Sequence, residues 1–135
     1  MAVSAPLTLM VVDDQALFRR SLEDRLRGDG FRVVSAENGL EALERLEEQA
    51  SPCLVLLDIV MPVMNGVEFL QVLERRRDIR NVRVALISAY GIVDRVALGS
   101  PRIVGRLHKP VEMGELRQVL DGQLGSGFGR ANLPN

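Results

Sequence analysis

The sequence predicts an α/β fold, a doubly wound five-stranded parallel sheet with helices on both faces. Two observations carry that expectation. Short apolar runs alternate along the chain with segments of helical period, the order that right-handed βαβ units produce. The run Cys53-Leu-Val-Leu-Leu57 shows no polar alternation, as a central parallel strand buried on both faces would read.

The elements follow in order. The first strand spans Leu7 to Val12. A helix follows with Phe18, Leu22 and Leu26 four apart on one face, an Asp before it as cap, and Gly28 and Gly30 to stop it. Strand two is 32–36. Asn38 and Glu41 then resemble a capping box, opening a helix expected to turn Leu40, Leu43, Leu46 and Ala50 inward. Strand three is 53–57, and a Met64-Asn65-Gly66 turn leads to a helix with Phe69, Leu70 and Leu73 on one face. Strand four is 82–88. The segment 91–101 has at most two helical turns before Gly99 and Pro101 interrupt it. Strand five is expected from about Arg102 to Leu107, and the last helix from about Met113 to Leu124, with Met113, Leu116, Leu120 and Leu124 inward. Residues 1–124 read as one domain, and the Gly-rich 125–135 as a flexible tail.

Bulk properties exclude several classes. The 135 residues suit a single domain with its own core. Formal net charge is −1, from 17 Lys and Arg against 18 Asp and Glu, so nothing in the balance calls for direct nucleic-acid binding. The locally basic 74–83 stretch reads as a solvated helix end. A single cysteine, Cys53, forms no disulfide within the chain and reads as a small buried hydrophobe in a reducing compartment. No signal peptide or membrane span is apparent, so a cytoplasmic location with no membrane contact is expected.

In open parallel sheets, ligands bind beyond the carboxyl ends of the strands. Asp13 and Asp14 follow strand one, Asp58 follows strand three, Ser88 ends strand four, and Lys109 follows strand five. Three carboxylates at one edge repel one another unless a hard divalent cation joins them, and Mg2+ with its preference for oxygen fits such a set. No His/Cys set argues for zinc or copper. A hydroxyl and an ammonium opposite the metal suit phosphoryl oxygens. Asp58 stands centrally, and aspartate is an established nucleophile that forms acyl phosphates.

The motifs Val11-Val-Asp-Asp-Gln-Ala-Leu-Phe-Arg19, Leu56-Leu-Asp-Ile-Val-Met-Pro-Val-Met-Asn-Gly66, Leu86-Ile-Ser-Ala89 and His108-Lys-Pro110, in this order and register, resemble the receiver domain of bacterial two-component response regulators. The resemblance covers about residues 7–124. It implies a flavodoxin-like sheet in the order 2-1-3-4-5. It implies a Mg2+ site built from Asp13, Asp14, Asp58 and the Val60 backbone carbonyl. Asp58 would accept a phosphoryl group from a sensor histidine kinase or phosphotransfer protein, with Ser88 as hydroxyl switch and Lys109 as phosphate partner. It also implies a cis Lys109–Pro110 bond. A receiver is a phosphoacceptor switch that at most catalyses its own phosphorylation and dephosphorylation. His108, beside Lys109 on a strand, points the other way and reads as structural or surface-exposed rather than as a phosphoryl carrier.

The chain departs from the family at several places. Three residues before the lysine, where receivers commonly carry an aromatic ring, stands Arg106. Arg106 responding to charge, or Tyr90 in its place, is the expected substitute for the hydroxyl-to-aromatic switch. In many receivers the helix before strand five, that strand and the last helix form the output face; here 91–101 predicts a short or mobile helix and a non-standard partner surface. Val60 and Tyr90, each two residues beyond Asp58 and Ser88, cannot orient a hydrolytic water, which predicts slow autodephosphorylation.

Unless the chain is a piece of a longer regulator, output is expected through a downstream protein effector or a phosphorelay, as a monomer or a phosphorylation-dependent dimer, because the 11 residues after Leu124 hold no DNA-binding domain. The alternatives are a pseudo-receiver that binds partners without phosphorylation and a haloacid dehalogenase-type phosphohydrolase. The second wants an acid two residues after its nucleophile, where Val60 stands, and the first is opposed by the intact site residues. A flavin-binding protein would want a phosphate cradle where the first loop reads Asp-Asp-Gln.

Overall fold

The computed structural model describes residues 7–49, 52–89, 91 and 100–125. Five strands, β1 (Thr8–Val12), β2 (Arg32–Ala36), β3 (Cys53–Asp58), β4 (Val82–Ala89) and β5 (Ile103–Lys109), form one sheet in the order β2-β1-β3-β4-β5, every pairing parallel. The helices described are α1 (Ala16–Gly28), α2 (Gly39–Glu48), α3 (Gly66–Arg75) and α4 (Met113–Gly125). The expected doubly wound fold and strand order are both present.

The sheet separates two apolar layers. Alternate residues of β1 and β3 enter each one, which is why neither strand shows polar alternation. Met10, Val12, Val55 and Leu57 pack with α2 and α3 through Leu43, Leu46, Phe69 and Leu73. Leu9, Val11, Leu54 and Leu56 pack with α1 and α4 through Leu22, Leu26, Leu116 and Leu120. Every residue of β3 is buried, so Asp58 ends a strand with no solvent-facing side.

Several local expectations need correction. Strand β3 includes Asp58, and β5 runs from Ile103 through Lys109 rather than from Arg102 to Leu107, because the ladder continues to Ser88↔His108 and Ala89↔Lys109. Asp58 and Lys109 therefore end their strands rather than follow them, while Asp13 and Asp14 follow β1 as expected. The α1 N-cap is Gln15 with no side-chain cap; Asp13 Oδ1 instead accepts from the Gln15 N–H at 2.8 Å. Asn38 caps α2 by accepting from Glu41 N–H, but Glu41 Oε1 reaches the N–H of Glu37, so the box is incomplete. A complete box stands at Asn65 and Glu68 on α3, with bonds of 2.9 and 3.0 Å. Leu40 is 47% exposed and Ala42 takes its inward place, since the buried stripe runs Gly39, Ala42, Leu43, Leu46. Ala50 lies outside the described residues.

Cys53 is fully buried, and burial pushes its thiol up to about 12. In the basic 74–83 stretch, Arg76 pairs with Asp78 and Glu47, and Arg102 with Glu74, as a charged surface does. No helix among the described residues is long and apolar enough to cross a membrane.

Candidate functional site

The ends of β1, β3, β4 and β5 deliver the predicted site groups to the carboxyl edge of the sheet. Register alone brings them together, because β1, β3, β4 and β5 are consecutive neighbours in the sheet. Asp13 is 1% exposed, just past β1, and its N–H donates to the Ala36 carbonyl at 3.1 Å. Asp14 beside it is exposed. Asp58, on the central strand, is 5% exposed.

Lys109 reaches across from β5. Its ammonium donates to Asp13 Oδ2 at 2.6 Å and to Asp58 Oδ2 at 3.4 Å. The Ser88 hydroxyl, buried at the end of β4, donates to Asp58 Oδ1 at 3.1 Å. The N–H of Val60 approaches the same oxygen at 3.4 Å, and the Val60 side chain stands 58% exposed beside it. All five predicted side chains, Asp13, Asp14, Asp58, Ser88 and Lys109, therefore gather at one edge. Carboxylate oxygens of Asp13, Asp14 and Asp58 lie within 4.8 Å of one another.

The electrostatics of Asp58 set burial against pairing. Burial raises its carboxyl above the ordinary value, and the Asp13 charge raises it further. The Lys109 ammonium, the Ser88 hydroxyl and the Val60 N–H pull the other way without cancelling the rise. A charged Asp58 in this pocket is under-compensated, so a further cation would be favourable there.

The donor set suits a small hard ion. Three carboxylates with no nitrogen or sulfur donor in the cluster match Mg2+ rather than zinc or copper. Oxygen ligands about 2.1 Å from Mg2+ stand at most about 4.2 Å apart, so this set closes with small side-chain rotations.

The loop after β3 is tightly folded. Met64 N–H donates to the Pro62 carbonyl at 2.8 Å around Val63, whose φ is 70°, the geometry of a classic-sense γ-turn that a β-branched residue seldom adopts. The Lys109–Pro110 bond is cis, as the resemblance implied.

Three contributors escaped the sequence reading. The Phe18 ring lies under Lys109, with Nζ 4.4 Å from its centroid, a cation–π contact that helps aim the ammonium. Its helical period marked it as core, and only the fold places it against β5. Arg19 donates from Nη1 to the Asp13 carbonyl at 2.8 Å. Gly66 supports the Asp58 backbone by close approach. An arginine on the inner side of an amphipathic helix was the signal for Arg19; a glycine after a turn-forming Asn masked that of Gly66.

A hollow of about 330 Å³ opens beside the site, lined by Phe18, Leu22, Arg25, Lys109, Val111 and Met113 among others. Arg106 is exposed on β5 and His108 is half-buried. Tyr90 and most of the segment expected to be a short helix lie outside the described residues.

The family model described as the response regulator receiver domain matches residues 9–121. Sporulation initiation phosphotransferase F of Bacillus subtilis is 34% identical over 115 residues, 83% of this chain and 89% of the relative. Chemotaxis protein CheY of the same organism is 37% identical over 97 residues, 68% and 78% of the two chains. Response regulator protein TrrA of Thermotoga maritima, solved in complex with Mg2+-BeF, is 29% identical with a TM-score of 0.72, covering 85% of this chain and 96% of its own. The chain spans only 51% and 37% of the length of two transcriptional regulators that it also matches.

Proposed function

From the premise that the chain belongs to the response regulator receiver domain family, we propose that it acts in two-component phosphorelay signalling by accepting a phosphoryl group on Asp58. The carrying observation is the Asp58 carboxylate held between the Ser88 hydroxyl at 3.1 Å and the Lys109 ammonium at 3.4 Å, with two more carboxylates alongside.

In this reading an Asp58 oxygen attacks phosphorus. A P–O or P–N bond to the donor breaks, and the leaving group departs with its electron pair. Asp13, Asp14, Asp58 and the Val60 carbonyl would hold Mg2+, which would supply positive charge to the transferring phosphoryl oxygens. Lys109 releases Asp58 and takes a phosphoryl oxygen instead. Ser88 turns its hydroxyl toward another. The new charge shifts an existing equilibrium between two arrangements of the domain rather than creating a fold.

The donor is a sensor histidine kinase or a phosphotransfer protein, docked over the hollow beside Lys109. Its apolar lining gives a contact surface next to the acceptor. Output goes to a downstream protein effector, with the receiver itself touching neither nucleic acid nor membrane, in the cytoplasm. The receiver reading covers residues 9–121, where the family model matches.

Intact mass after incubation with acetyl phosphate and Mg2+ tests the reading. One phosphoryl adduct in the wild type, absent from Asp58→Ala, is expected. An adduct that survives Asp58→Ala overturns the assignment. No adduct, together with no beryllofluoride binding, marks a module that works without phosphorylation.

A further inference from the structure

Arg19 is 9% exposed on α1. A guanidinium so placed is costly unless its donors are matched. Its carboxylate partners are distant, Glu23 at 4.0 Å and Glu37 at 3.8 Å. Its short contact is with the backbone carbonyl of Asp13, at 2.8 Å.

That carbonyl belongs to the peptide joining Asp13 to Asp14. Because a peptide is planar, its orientation sets the directions in which the two carboxylates leave the chain. Asp13 has independent anchors: its N–H on the Ala36 carbonyl, Oδ1 on the Gln15 N–H and Oδ2 on Lys109. Asp14 is exposed, and no hydrogen bond or ion pair holds its side chain among the described residues. Its placement is inherited from the peptide that Arg19 grips.

We infer that Arg19 is a positioning residue for the divalent-cation site, acting through the Asp13–Asp14 peptide. This rests on the reading of Asp13, Asp14 and Asp58 as that site. Without the guanidinium the peptide rotates more freely, and Asp14 no longer waits in a binding direction. Outer supports of metal ligands typically alter affinity about 10–100-fold.

The test is Mn2+ binding to the full chain, read as free Mn2+ by electron paramagnetic resonance, with the folded fraction measured by circular dichroism. Arg19→Met keeps the apolar stem and is expected to weaken Mn2+ binding about tenfold. Arg19→Lys, which still offers a donor to the carbonyl, is expected to recover part of that loss. Glu23→Gln and Glu37→Gln loosen the ion pairs without touching the carbonyl bond and are expected to bind as wild type does. Arg19→Met with wild-type affinity overturns the inference. Equal weakening in the two Gln variants also overturns it, because the charge network would then be the cause. A wild type that binds no Mn2+ removes the cation site itself and the inference with it.

Discussion

The backbone of Gly66 presses against Asp58: a Cβ built on Gly66 would lie 2.6 Å from the Asp58 carbonyl oxygen and 2.8 Å from Ile59 Cα. The Gly66 N–H donates to the Ile59 carbonyl at 2.8 Å, so helix α3 begins directly on the end of the strand that carries Asp58, the proposed acceptor. Gly66→Ala forces backbone apart from backbone. Overpacking of this kind costs about 1–3 kcal/mol. A lower urea midpoint and slower phosphoryl uptake are expected together, since the atoms that must move belong to Asp58. Unchanged uptake in a destabilised Gly66→Ala would mean that the strand end tolerates displacement.

Asp58 predicts an inverted pH dependence in the metal-free protein. Its carboxyl is raised above the ordinary value of 3.8, first by burial and then by Asp13. The native state therefore holds its proton more tightly than the unfolded chain. The stability this gives is fully present below the ordinary value and is lost as pH rises through the raised native one. Asp58→Asn removes the titration. With chelator present, the variant is expected to melt at or above the wild type at neutral pH, and with a flatter pH profile. A markedly lower melting temperature would show that the Lys109 and Ser88 contacts outweigh the cost of burial.

The fold was legible because its signals are redundant. Five apolar runs and intervening helical stripes leave one plausible class, and the buried run into Asp58 marks the central strand. The site was legible for a related reason, since parallel register places every strand end at one edge. What sequence could not supply was contact across the fold. Phe18 looks like any core phenylalanine until β5 brings Lys109 over its ring. Leu40 looked inward by its spacing, but the buried stripe runs Gly39, Ala42, Leu43, Leu46, with Gly39 packed closely against Met64. The end of β5 was misread because His108 and Lys109 are polar, yet their backbones continue the ladder.

Cys53 supplies a probe of opening. It is fully buried, and its thiol is pushed up to about 12, so the reactive thiolate is scarce at ordinary pH. A thiol-specific disulfide reagent at pH 8 is expected to leave the native protein unlabelled and to label it at once in denaturant. Fast native labelling would mean that β3 opens locally at its start, away from Asp58.

Val60 sets the last prediction, the lifetime of the acyl phosphate. Val60 is 58% exposed beside Asp58, the proposed acceptor, while its N–H approaches Asp58 Oδ1. Hydrolysis needs a water aligned opposite the Asp58–phosphorus bond, and an isopropyl group offers that water neither donor nor acceptor. An amide at the same place offers both. Val60→Asn is therefore expected to speed loss of the phosphoryl adduct several-fold. Because the side chain is exposed, folding stability should change by no more than about 0.5 kcal/mol. The decay of intact mass after removal of acetyl phosphate, wild type beside variant, measures the ratio. Wild-type decay within seconds would contradict the slow turnover expected from Val60. An unaltered rate in Val60→Asn would move control of the water to another part of the site's rim.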